Sequence, residues 1–150
     1  MDQNFDEIRQ LADEGLTACQ IELGNGYLTG ATVGDRQLPQ DYAEAKRWLE
    51  PAHKKGATTA TFILGTMYEE GKGIPVDVKK AAEYYESAAA HGAYLPCVRL
   101  ARLYANGKGA PPSVERAAQW YQKVLTFDGQ VDDQGEMDEA RVFLQRHKAP

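Results

Sequence analysis

Serine is almost absent from this chain. Ser87 and Ser113 are the only two, and histidine occurs three times, as His53, His91 and His147. Nucleophilic catalysis needs a hydroxyl or thiol held beside a base, and zinc chemistry needs His or Cys companions at short helical or turn spacing. Neither pattern is present: the histidines are isolated, Ser87 falls within a helical stretch, and Ser113 is explained as a helix cap. Cysteine is equally scarce. Cys19 and Cys97 lie in segments about two repeats apart, which argues against a disulfide between them. Both read as small buried hydrophobes, and a reducing, cytoplasmic setting is expected. No apolar run approaches membrane-spanning length, and the opening "MDQNFDEIRQ" lacks the basic-then-apolar order of a secretory signal. Excess positive charge is missing too. With 17 basic against 22 acidic residues the net charge is -5, which argues against nucleic acid or an anionic membrane as the main partner.

What remains is ordinary globular composition, 43% hydrophobic and 26% charged, over a length that suits one domain covering 1–150. The stretch "YEEGKGIPVD" at 68–77 raises a phosphate-loop reading, which fails on its residues. Lys72 is followed by Gly73 where a hydroxyl residue would hold magnesium, Thr66 stands where the first glycine belongs, and no strand precedes it. The dinucleotide fingerprint fails as well, because Val76 replaces its third glycine and "GNGYLT" at 24–29 lacks the last one. No cofactor is expected. The acidic run from Asp128 to Glu139 lacks the alternating ligands and central glycine of a calcium loop, and its acids suit a helix N-terminus.

The turn is better explained by its recurrence. Tyr68 and Tyr104, Gly71 and Gly107, Ala81 and Ala117, and Tyr85 and Tyr121 are each 36 residues apart, and a period of this size means stacked structural repeats. Ala57, Thr61, Leu64 and Tyr68 form one helical stripe that Gly71 stops. Asp77 then caps a second stripe, Ala81, Ala82, Tyr85, Ala88 and Ala89, which ends at Gly92. Each unit is therefore an antiparallel helical hairpin. The first copy needs a five-residue insertion within "ATVGDRQLPQ" (31–40), expected to project from one edge. "NFDEIRQLADEG", with Asn4 and Glu7 at capping-box spacing, and "EMDEARVFLQRH" read as terminal caps. The result is an all-α chain of about eight helices with essentially no sheet: a cap helix at 4–15, repeats at 16–56, 57–92 and 93–126, and a cap helix at 135–147.

The set Leu64-Gly65, Tyr68, Gly71-Lys72-Gly73, Asp77, Lys80-Ala81, Tyr84-Tyr85, Ala88-Ala89 and Gly92 resembles the Sel-one-like repeat family, relatives of the tetratricopeptide repeat, over roughly residues 16–126. Pro51 within a helix and Ala101 in place of glycine depart from the pattern. The resemblance implies a right-handed superhelical solenoid and a role as adaptor, scaffold or regulatory binding protein, with no reaction of its own.

Aromatics that recur at equivalent positions, Trp48, Tyr84, Tyr85, Trp120 and Tyr121, belong to the stack, so partner contacts are sought off the repeat template. At ~100° per residue, Phe62 and Thr66 point away from the core stripe. Their counterparts are Ile21 and Asn25 in the first unit and Val98 and Arg102 in the third. Ile21, Phe62 and Val98 make an apolar strip bordered by Asn25, Thr66, Arg102 and Asn106, suited to a peptide or helix of another protein. The competing reading is that these side chains pack against neighbouring first helices. The expected function is non-catalytic protein binding by a single copy. A bacterial immunity or inhibitor protein that occludes one toxin or enzyme is the alternative, and a hydrolase without a visible catalytic set is the remote one.

Overall fold

Helix starts in this chain are written in short polar side chains. Asn4, Asp41, Asp77, Ser113 and Asp133 each accept a hydrogen bond from the backbone N–H three residues on, at Glu7, Glu44, Lys80, Arg116 and Glu136, satisfying a donor that the first turn leaves open. In the computed structural model, which describes residues 4–106 and 112–148, these caps start five of eight helices. The helices are α1 (Phe5–Asp13), α2 (Thr17–Thr29), α3 (Tyr42–Lys54), α4 (Thr58–Glu70), α5 (Val78–Ala90), α6 (Tyr94–Asn106), α7 (Val114–Leu125) and α8 (Gln134–Arg146). A two-stranded ribbon, β1 (Thr32–Val33) and β2 (Arg36–Gln37), is the single sheet among the described residues. The second Gly-Lys-Gly turn, 107–109, lies outside them. Pro51 is accommodated inside α3.

The chain divides into two compact units, Met1–Val76 and Asp77–Pro150, and the boundary falls within the second hairpin, between its two helices. In the first unit each helix packs on the next, α1 on α2, α2 on α3 and α3 on α4. Small residues set the spacing. A Cβ at Gly24 would lie 2.5 Å from Leu49 Cγ, so the glycine is what lets α3 approach α2. Phe5, Ile8 and Ala12 of α1, Cys19 and Leu23 of α2 and Trp48 of α3 share one core. His53 Nδ1 lies 2.7 Å from Thr61 Oγ1, which itself donates to Ala57 O, so the imidazole is the donor in a bond that ties α3 to α4.

The Gly-Lys-Gly turn is structural. Gly71 ends α4 in the left-handed region, φ 70°. Gly73 also has φ 70°, and a Cβ there would sit 2.5 Å from Tyr42 Cβ. Both positions need glycine. Lys72 between them pairs with Glu70 at 2.9 Å.

The insertion at 31–40 does not project. It folds back as the β1–β2 ribbon, with Thr32 opposite Gln37 and Val33 opposite Arg36, and sends Val33 and Leu38 into the core of the first unit at 2% and 3% exposure. Asp35 Oδ1 accepts the Phe5 N–H at 2.9 Å, capping α1, while the Arg36 guanidinium lies 4.1 Å over the Phe5 ring and pairs with Asp6 at 3.5 Å. Gly26 makes room for this, since a Cβ there would be 2.4 Å from Val33 Cγ2. At the same place in the later hairpins stand Met67 and Leu103, both buried. The ribbon thus supplies from outside the helix the apolar bulk that the other units carry on it.

In the second unit α5 packs on α6, α6 on α7 and α7 on α8. Its core is built from Ala81, Tyr85 and Ala88, from Cys97, Leu100, Ala101 and Tyr104, from Ala117, Tyr121 and Val124, and from Met137 and Ala140. Tyr68 and Tyr104, the anchors of the repeat, are 5% and 7% exposed. Cys19 and Cys97 are buried free thiols. Loss of hydration pushes both thiols above their usual pKa, which suits packing and not nucleophilic attack.

Candidate functional site

The residues proposed for partner contact fare differently in the two units. On the first, Ile21 of α2 and Phe62 and Thr66 of α4 are half-buried and Asn25 is exposed. Ile63, beside Phe62, is half-buried as well. Thr66 Oγ1 donates to Ile63 O at 2.7 Å and so turns back onto its own helix. An apolar surface of Ile21, Phe62 and Ile63 is therefore left partly open on two helices that both pack on α3.

The second unit corrects the expectation at two positions. Val98 is 2% exposed and has no surface to offer, because α6 is packed on both sides by α5 and α7 and buried round most of its circumference. Arg102 is already bound. Its Nε donates to both oxygens of Glu139 at 3.2 and 3.0 Å, and its Nη2 donates to Glu139 Oε1 at 2.7 Å and Glu136 Oε1 at 3.2 Å. Tyr121 O–H donates to Glu139 Oε2 at 2.7 Å. This arginine is thus engaged with a neighbouring helix, as in the competing reading, while its side chain stays 39% exposed. Asn106 is exposed.

The cluster's electrostatics follow from these contacts. The Arg102 hydrogen bonds hold the Glu139 carboxyl below its usual range, against the opposing effect of burial, and Tyr121 adds to the lowering. Glu139 in turn raises the guanidinium's pKa. Burial, then the bond to Glu139, pushes the Tyr121 phenol well up. Nearby, the buried Tyr94 hydroxyl meets no acceptor at hydrogen-bonding geometry and packs edge-on to Phe127 at 5.4 Å; lost hydration and then the charge of Asp133 push it up to about 12. Such a network of fixed ion pairs and un-ionised phenols holds helices together; it does not poise a base or nucleophile.

Sequence reasoning missed the part played by α8. Counted from its first residue, α8 matches the first helix of a hairpin: Met137 and Ala140 are fully buried where Cys97 and Leu100 are in α6. That puts Asp138 and Val142, both exposed, at the places of Val98 and Arg102, and Val142, Phe143 and Arg146 line an open cleft of about 350 Å³ beside Tyr121. The signal was present as apolar spacing, but at an offset of 40 instead of 36. Among the described residues no three His, Cys, Asp or Glu side chains converge as a metal site requires, and no helix is long and apolar enough to cross a membrane.

Helical hairpins with glycine-led contacts and capped second helices match a known pattern, the Sel1 repeat, over residues 17–56, 58–92 and 97–123. The chain belongs to the Sel1 repeat family. The solved structures similar to it include these two. One is c5321, a protective antigen present in uropathogenic Escherichia coli strains and displaying an SLR fold, at 27% identity and a TM-score of 0.75 over 83% of this chain. The other is a Sel1 repeat protein from Oxalobacter formigenes, at 28% identity and a TM-score of 0.68 over 79% of this chain. This chain spans 26% and 46% of those two chains, respectively. No curated protein matches it. Sel1 repeats generally serve as protein-interaction modules, and the ribbon at 31–38 is a local elaboration on the first of the three.

Proposed function

We propose that this chain is a non-catalytic module that binds another protein, and that the contact surface in its first unit is formed by Ile21 and Asn25 of α2 with Phe62, Ile63 and Thr66 of α4. One observation carries the reading. These apolar side chains stand off the packing stripe of Leu23, Leu64 and Tyr68 and remain partly open, whereas of the matching positions in the second unit Val98 is buried and Arg102, though partly exposed, is held by Glu136 and Glu139. An apolar strip with polar edges is what a peptide or helix of a partner needs for anchoring, with the polar edge fixing its register.

Co-purification from the source cell followed by calorimetry tests this. Phe62→Asp and Ile21→Asp should each weaken a captured partner at least fivefold, roughly 1 kcal/mol or more, with the far-ultraviolet circular dichroism unchanged. Lys79→Glu and Glu115→Lys, on exposed faces of second helices, should leave affinity as it was. Wild-type affinity in both apolar variants would move the site elsewhere. A single partner held at nanomolar affinity or better would favour an inhibitor or immunity protein; several partners held more weakly would favour an adaptor.

A further inference from the structure

A second surface of the first unit departs from the repeat in its charges. Tyr42, Lys46 and Glu50, on successive turns of α3, form with Gly73, Ile74 and Pro75 an open cleft of about 460 Å³. The Gly-Lys-Gly turn is seated against the helix there, since a Cβ at Gly73 would lie 2.5 Å from Tyr42 Cβ. Tyr42 and Ile74 are half-buried and Pro75 is exposed, so this wall of the cleft is apolar.

Lys46 is off the repeat template. At successive intervals of 36 residues α5 and α7 carry Ala82 and Ala118 in its place. The Lys46 ammonium lies 6.0 Å over the Tyr68 ring and meets no carboxylate among the described residues. Glu50 stands one turn further on, but a lysine placed N-terminal to its acid is the poorer order for pairing along a helix. Glu50 is unengaged as well. Its counterpart Glu86 accepts the Tyr104 O–H at 3.3 Å, whereas Glu50 accepts no hydrogen bond among the described residues. The nearby Arg47 is already paired, with Glu44 at 3.3 Å.

The cleft thus offers one cation and one carboxylate, both half-buried and both unpaired. Part of their hydration is already lost, so a group of opposite charge meets a smaller desolvation cost than it would at a fully exposed side chain. Four residues on a helix separate them by ~6 Å along its axis. We propose that this cleft receives a segment of another protein carrying an acid and a base about one helical turn apart, the acid on Lys46 and the base on Glu50, with an apolar side chain against Tyr42, Ile74 and Pro75. A wholly acidic segment would meet Glu50 and a wholly basic one Lys46, and each like-charge contact selects against it. The site goes beyond the surface of Ile21 and Phe62 on α2 and α4 and does not depend on it.

Nuclear magnetic resonance titration of the isotope-labelled 150-residue chain tests this with three alanine-rich helical peptides. Each carries a leucine beside two charged positions one turn apart, which hold Glu and Lys, two Glu, or two Lys. Wild type should bind the mixed peptide at least about fivefold more tightly than either uniform one. Lys46→Glu should shift the preference to the two-Lys peptide, and Glu50→Lys to the two-Glu peptide. Making both exchanges together should return it to the mixed peptide, since a helix can enter in either direction. If Lys46→Glu loses helix by circular dichroism, Lys46→Gln serves, and should cost the mixed peptide its advantage over the two-Lys one. Shifted amides should cluster on α3 and at Ile74; shifts confined to α2 and α4 would overturn this site and leave the other standing. Equal binding of all three peptides, no shifts up to millimolar peptide, or preferences that do not follow the exchanges overturn the proposal.

Discussion

Gly26→Met should have opposite effects in two backgrounds, and the structure sets the sizes. In wild type the new Cβ would lie 2.4 Å from Val33 Cγ2 and 3.0 Å from Leu38 Cδ1, so the side chain has no space until the ribbon moves. Overpacking of that kind costs about 1–3 kcal/mol, more than the roughly 1 kcal/mol gained by removing a helical glycine. Val33 and Leu38 are 2% and 3% exposed. Truncating both to Ala should cost about 3–6 kcal/mol, the Leu accounting for most of it, a large share of the ~5–15 kcal/mol that holds a typical domain together. In that truncated background the same Gly26→Met has a cavity to enter, filling it as Met67 does in the next hairpin, and should restore about 1–2 kcal/mol. The sign change is a coupling of about 1–4 kcal/mol, readable from urea denaturation followed by circular dichroism on all four proteins. Equal effects of Gly26→Met in the two backgrounds, within about 0.5 kcal/mol, would refute the idea that the ribbon substitutes for a missing side chain.

Lys72→Ala should change stability by less than about 0.5 kcal/mol, because its ion pair with Glu70 is more than a third exposed on both sides. Gly73→Ala should cost more than Lys72→Ala by at least about 1 kcal/mol, since it meets both the left-handed backbone and Tyr42; thermal melts of the pair decide it. Glu139 has a lowered folded-state pKa, so the stability it contributes is present above the ordinary carboxylate value near ~4.3 and is lost as pH falls through the lower folded value. Glu139→Gln should therefore flatten the acid limb of a stability–pH curve. Tyr121 and Tyr94 are raised, so their contribution is whole below the free phenol value of ~10 and drains away as pH rises beyond it. Tyr121→Phe should shrink that alkaline loss, and an unchanged alkaline limb would show that the phenol's surroundings are not those described.

Much of the fold was legible because its signals are local. Asp77 and Ser113 announce helix starts, Gly71 announces a stop, and the 36-residue interval between matched tyrosines needs no knowledge of tertiary structure. The ribbon was not legible, since Val33 and Leu38 make sense only against Phe5 and Ile8, and the Phe5–Asp35 bond spans 30 residues. The surface of the second unit was misread for the same reason. Arg102 looks like a free groove cation until Glu136 and Glu139, more than thirty residues later, are brought to it by α8. Glu136 does stand in the first turn of α8, behind the Asp133 cap, but a charge that suits a helix start can also face a neighbour, and Glu139 lies beyond that turn. Ile21 and Phe62 are half-buried on α2 and α4.

Even the longest-reaching of the side-chain bonds named here stay within about one repeat of the chain. Phe5 to Asp35 spans 30 residues, Arg102 to Glu139 spans 37, and Lys55 Nζ reaches back 40 residues to Gly15 O beside its 3.2 Å bond to Gln20. Within each unit the helices pack chiefly on the next helix along the chain. No contact of this kind waits for the far end of the polypeptide to arrive, so the entropy of closing loops stays small and nearly the same at each step. A chain wired this way should fold fast for its length, and it can begin from whichever hairpin forms first. Emerging from a ribosome, the first unit can complete Lys55's bond to Gly15 before most of the second has been synthesised, with little apolar surface left waiting for a distant partner.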